Sequence, residues 1–163
     1  MNNGQYLYEE TRNSPSNFCI GGAGYPEKHF EAMNLKSDLK HLKEKVDAGA
    51  EFIVTQLFYD NKKFFEFVDK CRAIGIQVPI IPGLKPITNL RHLSFIPKFF
   101  NTNFPEEFSN ELEKCKSNEE VKKIGTEWAI EQSKELINYG VPVLHFYTMG
   151  KGEAVKNIAS EIF

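Results

Sequence analysis

Only three cysteines occur, Cys19, Cys71 and Cys115, and they lie too far apart to make a C-x-x-C pair. Neither a disulfide framework nor a zinc site of that spacing is available, so a reduced chain is expected. No apolar run approaches the roughly 20 residues that span a bilayer. The opening Met1-Asn2-Asn3-Gly4-Gln5-Tyr6 lacks the charged-then-apolar order of a signal peptide, and a cytoplasmic protein without membrane contact is expected. Long basic runs are absent too, and a net charge of −2 leaves no electrostatic footprint for nucleic acid. No internal repeat or low-complexity tract is seen, and no G-x-G-x-x-G fingerprint opens a helix.

What is present is an ordinary globular composition, 41% hydrophobic and 26% charged over 163 residues, enough for one domain. Fourteen phenylalanines put much flat apolar surface in the core or in a ligand site. After a polar lead-in over 1–17, short apolar runs alternate with helical patterns through residues 18–163. Strand-like runs begin near Phe18, Phe52, Val78 and Val143, each rich in β-branched or aromatic residues. Leu35, Leu39, Leu42 and Val46 recur at helical spacing before Gly49, and Phe64, Phe67, Val68 and Cys71 before Gly75. A third helix is expected from about Thr88, interrupted or ended by Pro97. Ser117 with Glu120 is a capping-box signature for a long helix ending near Gly140, and a last helix is expected over roughly 152–162. Segment 99–117 reads as an insertion with helix potential.

Four strands each followed by a helix imply parallel pairing through right-handed crossovers. A small doubly wound sheet and half of an eight-stranded barrel both satisfy this; the missing glycine fingerprint weakens the first. In a barrel the chemistry sits at the C-terminal ends of the strands. The first such place is Gly21-Gly22-Ala23-Gly24-Tyr25-Pro26-Glu27-Lys28-His29, where small residues admit a flat ligand or simply satisfy a tight turn. Asp38, His41 and Lys45 follow on one helical face, as either a phosphate- or ribose-directed stripe or a solvated surface. Gln56, placed by alternation with Val54 and Phe58, reads equally as a pterin-directed amide or a satisfied core glutamine. His145 is expected to be a hydrogen-bonded core histidine, and Lys151 a carboxylate partner or a solvated lysine. No Ser/His/Asp set, carboxylate pair or metal cluster stands out.

Taken in order, AGYPEKHFEA (23–32), DLKHLKEKVDAGAEFIVTQLFYD (38–60), PIIPGLKPI (79–87) and LHFYT (144–148) resemble methylenetetrahydrofolate reductase over roughly residues 17–163. The resemblance implies a (β/α)8 TIM-type barrel, here about its last four βα units, holding FAD and using NADH or NADPH to reduce 5,10-methylenetetrahydrofolate to 5-methyltetrahydrofolate. It puts Tyr25, His29, Asp38 and Lys45 on flavin-binding positions, with Ala23 close by and His41 as an addition. Gln56 falls on the pterin-recognising glutamine, and Met149 and Lys151 on folate or nicotinamide contacts. Three positions depart from the common pattern: Lys151 replaces arginine, His92 a frequent glutamine, and Ile96 an aromatic. The catalytic acid is expected in an N-terminal barrel half that this chain lacks, so no catalytic residue is assigned here. A folate substrate, that complementary half and self-association of the complete protein are the expected partners. A non-catalytic flavin- or folate-binding half-barrel, or a structural partner completing another chain's barrel, remain the alternatives.

Overall fold

Strand formation among the described residues is sparing. The computed structural model describes residues 14–163. The expected lead-in over 1–17 lies mostly outside the described residues, and 14–17 carry no regular structure. The strands are β1 (Gly21–Gly24), β2 (Phe52–Thr55), β3 (Ile80–Ile81), β4 (Gly83–Leu84) and β5 (His145–Phe146). They are shorter than the apolar runs, because Phe18 to Ile20 and Val143 lie exposed beside their strands rather than within them. The helices are α1 (Leu35–Asp47), α2 (Asn61–Ala73), α3 (Arg91–Phe100), α4 (Glu106–Leu112), α5 (Asn118–Tyr139) and α6 (Glu153–Ile162).

All pairs are parallel, β1 with β2 and β2 with β3 in one sheet, β4 with β5 in another. The break falls at Pro82, which has no N–H to give the ladder. Thr55 bridges the two sheets. Its hydroxyl accepts the Gly83 N–H at 2.9 Å, and its carbonyl accepts the Tyr147 hydroxyl at 2.9 Å. Gly83 is required there, since a Cβ would fall on the Thr55 carbonyl oxygen. With β3 and β4 counted as one bent strand, the strands follow one another in chain order without the reversal a doubly wound sheet needs.

Helix ends follow local chemistry. Asn34 caps α1 in a reciprocal box with Ser37, a start signal the apolar spacing alone does not reveal. Ser117 accepts the Glu120 N–H as expected, while the Glu120 carboxylate reaches back to the Lys116 N–H, one residue before the cap. Gly49, Gly75 and Gly140 close their helices at positive φ. The third helix departs from expectation: α3 starts at Arg91 and runs through Pro97 to Phe100, where Asn101 turns left-handed. Its buried Ile96 and flanking Leu93, Phe95 and Phe100 pack on one core cluster, and that packing holds the turn containing the proline.

Two apolar clusters form the interior. One joins Leu39, Leu42, Ile53, Phe64 and Phe67 between the larger sheet and α1 and α2; the other joins Leu57, Ile87, Ile96, Phe108 and Val121 beneath α3, α4 and α5. The fully buried phenylalanines, Phe58, Phe64, Phe67 and Phe108, all belong to these clusters, with Phe58 stacked on Phe64 and Phe108 on Trp128. Of the two roles open to the phenylalanines, these four serve the core. Among the described residues, no helix is long and apolar enough to cross a membrane, and no group of three or more His, Cys, Asp or Glu side chains could hold a metal ion.

Candidate functional site

The residues expected to touch ligands collect at the C-terminal ends of the parallel strands, in two places. The first follows β1. Ala23 is exposed at the strand end, and Lys45, reaching across from the last turn of α1, donates from Nζ to the Ala23 carbonyl at 3.2 Å. Asp38, in the first turn of α1, accepts the His29 N–H at 2.9 Å and so pins the loop to the helix. Within that loop the Tyr25 and His29 rings meet edge to face, 4.5 Å between centroids. Lys28 sits at φ +78, with Nζ donating to the carbonyls of His29 and Ala32 at 2.9 and 2.7 Å, which closes the turn. Burial, with Asp38 and Glu31 nearby, raises the Tyr25 phenol pKa, so the ring stays protonated at neutral pH. Ala23, Tyr25, Asp38 and Lys45 line one small cleft beside Gly24. His41 is exposed on the same helix and is not among the residues lining it.

The second place is a cleft of about 490 Å³ at the ends of β4 and β5, walled by the starts of α3, α5 and α6. It brings His92 together with Met149 and Lys151, more than fifty residues further along the chain, and adds Lys85, Asn89 and Tyr147. Two nitrogens flank the His92 ring: the Thr88 N–H lies 3.3 Å from Nδ1 and the Asn89 amide nitrogen 2.9 Å from Nε2, and a neutral ring accepts from one of them. Burial, with the Lys85 and Lys151 charges beside it, pushes the His92 pKa down to about 4. The ring is therefore a neutral wall of the cleft. Ile96, which stands where the family pattern has an aromatic, is fully buried in the second core cluster.

Gln56 lies between the two places, just beyond β2. It is half-buried, and its amide oxygen accepts the Leu57 N–H at 3.0 Å, which uses one of that oxygen's two lone pairs. His145 departs from expectation. It is exposed, because β5 is an edge strand among the described residues, and its ring packs edge-on to Tyr147 at 4.7 Å. Sequence reasoning missed Lys85 and Tyr147 as cleft residues. Each lies directly after a short strand and within a segment of the family resemblance, PIIPGLKPI or LHFYT, but neither was assigned to a ligand.

Parallel strands taken in chain order, with helices following them, define an α/β protein. More narrowly, the chain belongs to the methylenetetrahydrofolate reductase family, whose family model matches residues 5–162. It is 46% identical over 142 residues to methylenetetrahydrofolate reductase (NADH) 1 of Arabidopsis thaliana, covering 81% of this chain and 24% of that one. Identity is 43% over 146 residues to methylenetetrahydrofolate reductase 1 of Schizosaccharomyces pombe, covering 89% and 24%. It is 37% over 139 residues to the 5,10-methylenetetrahydrofolate reductase of Salmonella typhimurium, covering 85% and 47%. The chain thus spans about a quarter of the plant and yeast relatives and about half of the bacterial one. Its fold is similar, at TM-score 0.57 and 21% identity, to an uncharacterized protein from Clostridium thermocellum that binds two copies of 5-methyl-5,6,7,8-tetrahydrofolic acid; the match covers 87% of this chain and 51% of that one.

Proposed function

We propose that this chain supplies the last four βα units of a (β/α)8 methylenetetrahydrofolate reductase barrel. The complete barrel reduces 5,10-methylenetetrahydrofolate to 5-methyltetrahydrofolate with FAD and NADH or NADPH. The observation that carries the reading is the family match across residues 5–162. Support comes from the strand order, which continues without reversal, and from ligand-directed residues that meet at one end of those strands.

The flavin dinucleotide is assigned to the β1 end. Ala23 offers only a methyl at an exposed strand end, and Lys45 offers a solvent-exposed cation beside it, suited to a phosphate. Asp38 acts on the loop, fixing the Tyr25–His29 pair through the His29 N–H. The chemistry FAD supplies when bound is hydride transfer from reduced nicotinamide to the folate carbon. Gln56 orients the pterin with its amide, and the cleft of His92, Met149 and Lys151 holds the rest of the substrate. The acid that protonates the substrate nitrogen belongs to the complementary half.

In a barrel completed with that half, Lys45→Ala is expected to weaken FAD binding about tenfold, the loss of one charge-assisted hydrogen bond near 1.5 kcal/mol. Lys43→Ala is the control, because the Lys43 ammonium pairs with Asp47 on the same helix. Equal FAD dissociation constants for the two variants would remove Lys45 from the flavin site.

Gln56→Leu keeps the volume and removes both hydrogen-bonding functions. Folate reduction is expected to fall roughly tenfold or more, from a contact worth about 1–3 kcal/mol, while flavin reduction by nicotinamide falls less. Flavin absorbance follows the two half-reactions separately. Equal losses in both would assign Gln56 a structural role.

A further inference from the structure

Resting on the reductase reading, we propose that Lys85 and Lys151 form an anion subsite in the cleft at the ends of β4 and β5. The group it takes is a carboxylate or phosphate of the bound ligand. The reading above places Lys151 at a ligand contact; Lys85 is new, and so is the pairing.

The case starts from the cleft's charges. Its ionisable lining consists of Lys85, His92, Glu119, Lys122, Tyr147, Lys151 and Glu153. Lys122 and Glu153 neutralise each other at 2.7 Å, tying α5 to α6. Glu119 is exposed in the first turn of α5, where the helix dipole already stabilises a carboxylate. His92 is neutral and carries no charge into the cleft. Lys85 and Lys151 remain, and neither forms an ion pair with any described residue.

Lys85 is the more telling of the two. It is half-buried, and its Nζ donates to the Tyr147 carbonyl at 3.3 Å, a long bond for a group with three donors. Burial lowers its pKa. An ammonium held partly out of water without a counter-charge is unfavourable unless an anion joins it, and Lys151 lines the same cleft, with both lysines acting on His92.

The turn carrying Lys151 is also built at a cost. Met149 and Gly150 both take positive φ, +50 and +79, and the Lys151 N–H closes the turn on the Thr148 carbonyl at 3.0 Å. A methionine in the left-handed region is strained, and such strain gathers at binding sites. Two lysines, unlike a planar guanidinium fork, act as point charges and accept either a carboxylate or a phosphate oxygen. The folate carries the first group and the nicotinamide dinucleotide the second.

The test labels the lysines of this chain by reductive 13C-methylation, combines it with the unlabelled N-terminal half and follows the NMR signals of the completed barrel. Lys85→Met and Lys151→Met assign the two resonances. Inorganic phosphate, glutarate, 5-methyltetrahydrofolate, NADH and NADPH are titrated in turn. The Lys85 and Lys151 signals are expected to shift, with the Lys85 pKa rising toward the usual lysine value, while Lys43 stays still. Lys85→Met should weaken the effective probe about tenfold, and Lys85→Arg should retain most of the affinity. A response to folate and not to the dinucleotides identifies the carboxylate as the natural anion; the reverse identifies the phosphate. If phosphate or glutarate moves both lysines while neither folate nor dinucleotide binds, the subsite stands and the reductase reading fails. No shift of Lys85 with any of the five probes, or one no larger than that of Lys43, overturns the proposal.

Discussion

Assayed by itself, the 163-residue chain is expected to show no methylenetetrahydrofolate-dependent oxidation of reduced nicotinamide. The reason begins at the sheet edges. Among the described residues β1 pairs only with β2 and β5 only with β4, so both outer strands offer unpaired backbone groups. Apolar side chains lie beside both edges, Phe18 at 72% exposure near β1 and Val143 at 52% near β5. A barrel interior is filled by layers drawn from alternate strands, and four strands supply half of each layer. General acid assistance is worth about 10²–10⁴-fold, and no residue of this chain is assigned that role. Mixing with a separately expressed N-terminal barrel half is expected to restore turnover, since the same open edges are the docking surface. Robust turnover by the lone chain would contradict the half-barrel reading.

The second large effect concerns stability. Gly125, in the middle of α5, is expected to tolerate no side chain: a Cβ there would land on the Ile87 carbonyl oxygen, a backbone atom that cannot rotate away. Alanine gains up to about 1 kcal/mol of helix propensity over glycine, so a free helix would be strengthened. Against that, forcing α5 off the segment after β4 costs about 1–3 kcal/mol or more, because it disturbs the cluster of Ile87, Val121 and Phe108. The overlap wins, and Gly125→Ala is expected to lower the melting temperature by several degrees, at about 2–4 °C per kcal/mol for a chain of this size. Gly152→Ala is the matched control, since nothing lies within 4 Å of its Cβ position. Equal melting temperatures for the two variants would contradict the close approach of α5 to Ile87.

Much of this was legible from residues alone, and the limits are physical. The apolar periods of α1 and α2 and their closing glycines placed both helices, because amphipathic burial and positive-φ caps leave marks within one segment. Strand order and the bridging role of Thr55 left no such mark, since they depend on segments distant in the chain. Pro97 was misleading because its local penalty is overridden by the packing of α3, which only the tertiary structure displays. His145 was misread for the opposite reason: an apolar neighbourhood in sequence became an exposed edge in space. At the site, motif resemblance selected His92, Met149 and Lys151, and the fold brought them into one cleft. Lys85 lies within the PIIPGLKPI segment, but no ligand role was assigned to it from sequence; its significance lies in its burial and in the lack of a neutralising partner among the described residues.

The central claim is that this chain forms the second half of a reductase barrel, and the two half-reactions test it most directly. The chain is mixed with its complementary half, loaded with FAD and kept free of oxygen. Reduced nicotinamide is then expected to bleach the flavin absorbance, and 5,10-methylenetetrahydrofolate to restore it with formation of 5-methyltetrahydrofolate. A mixture that holds flavin but is neither bleached by NADH or NADPH nor reoxidised by the folate would contradict the account.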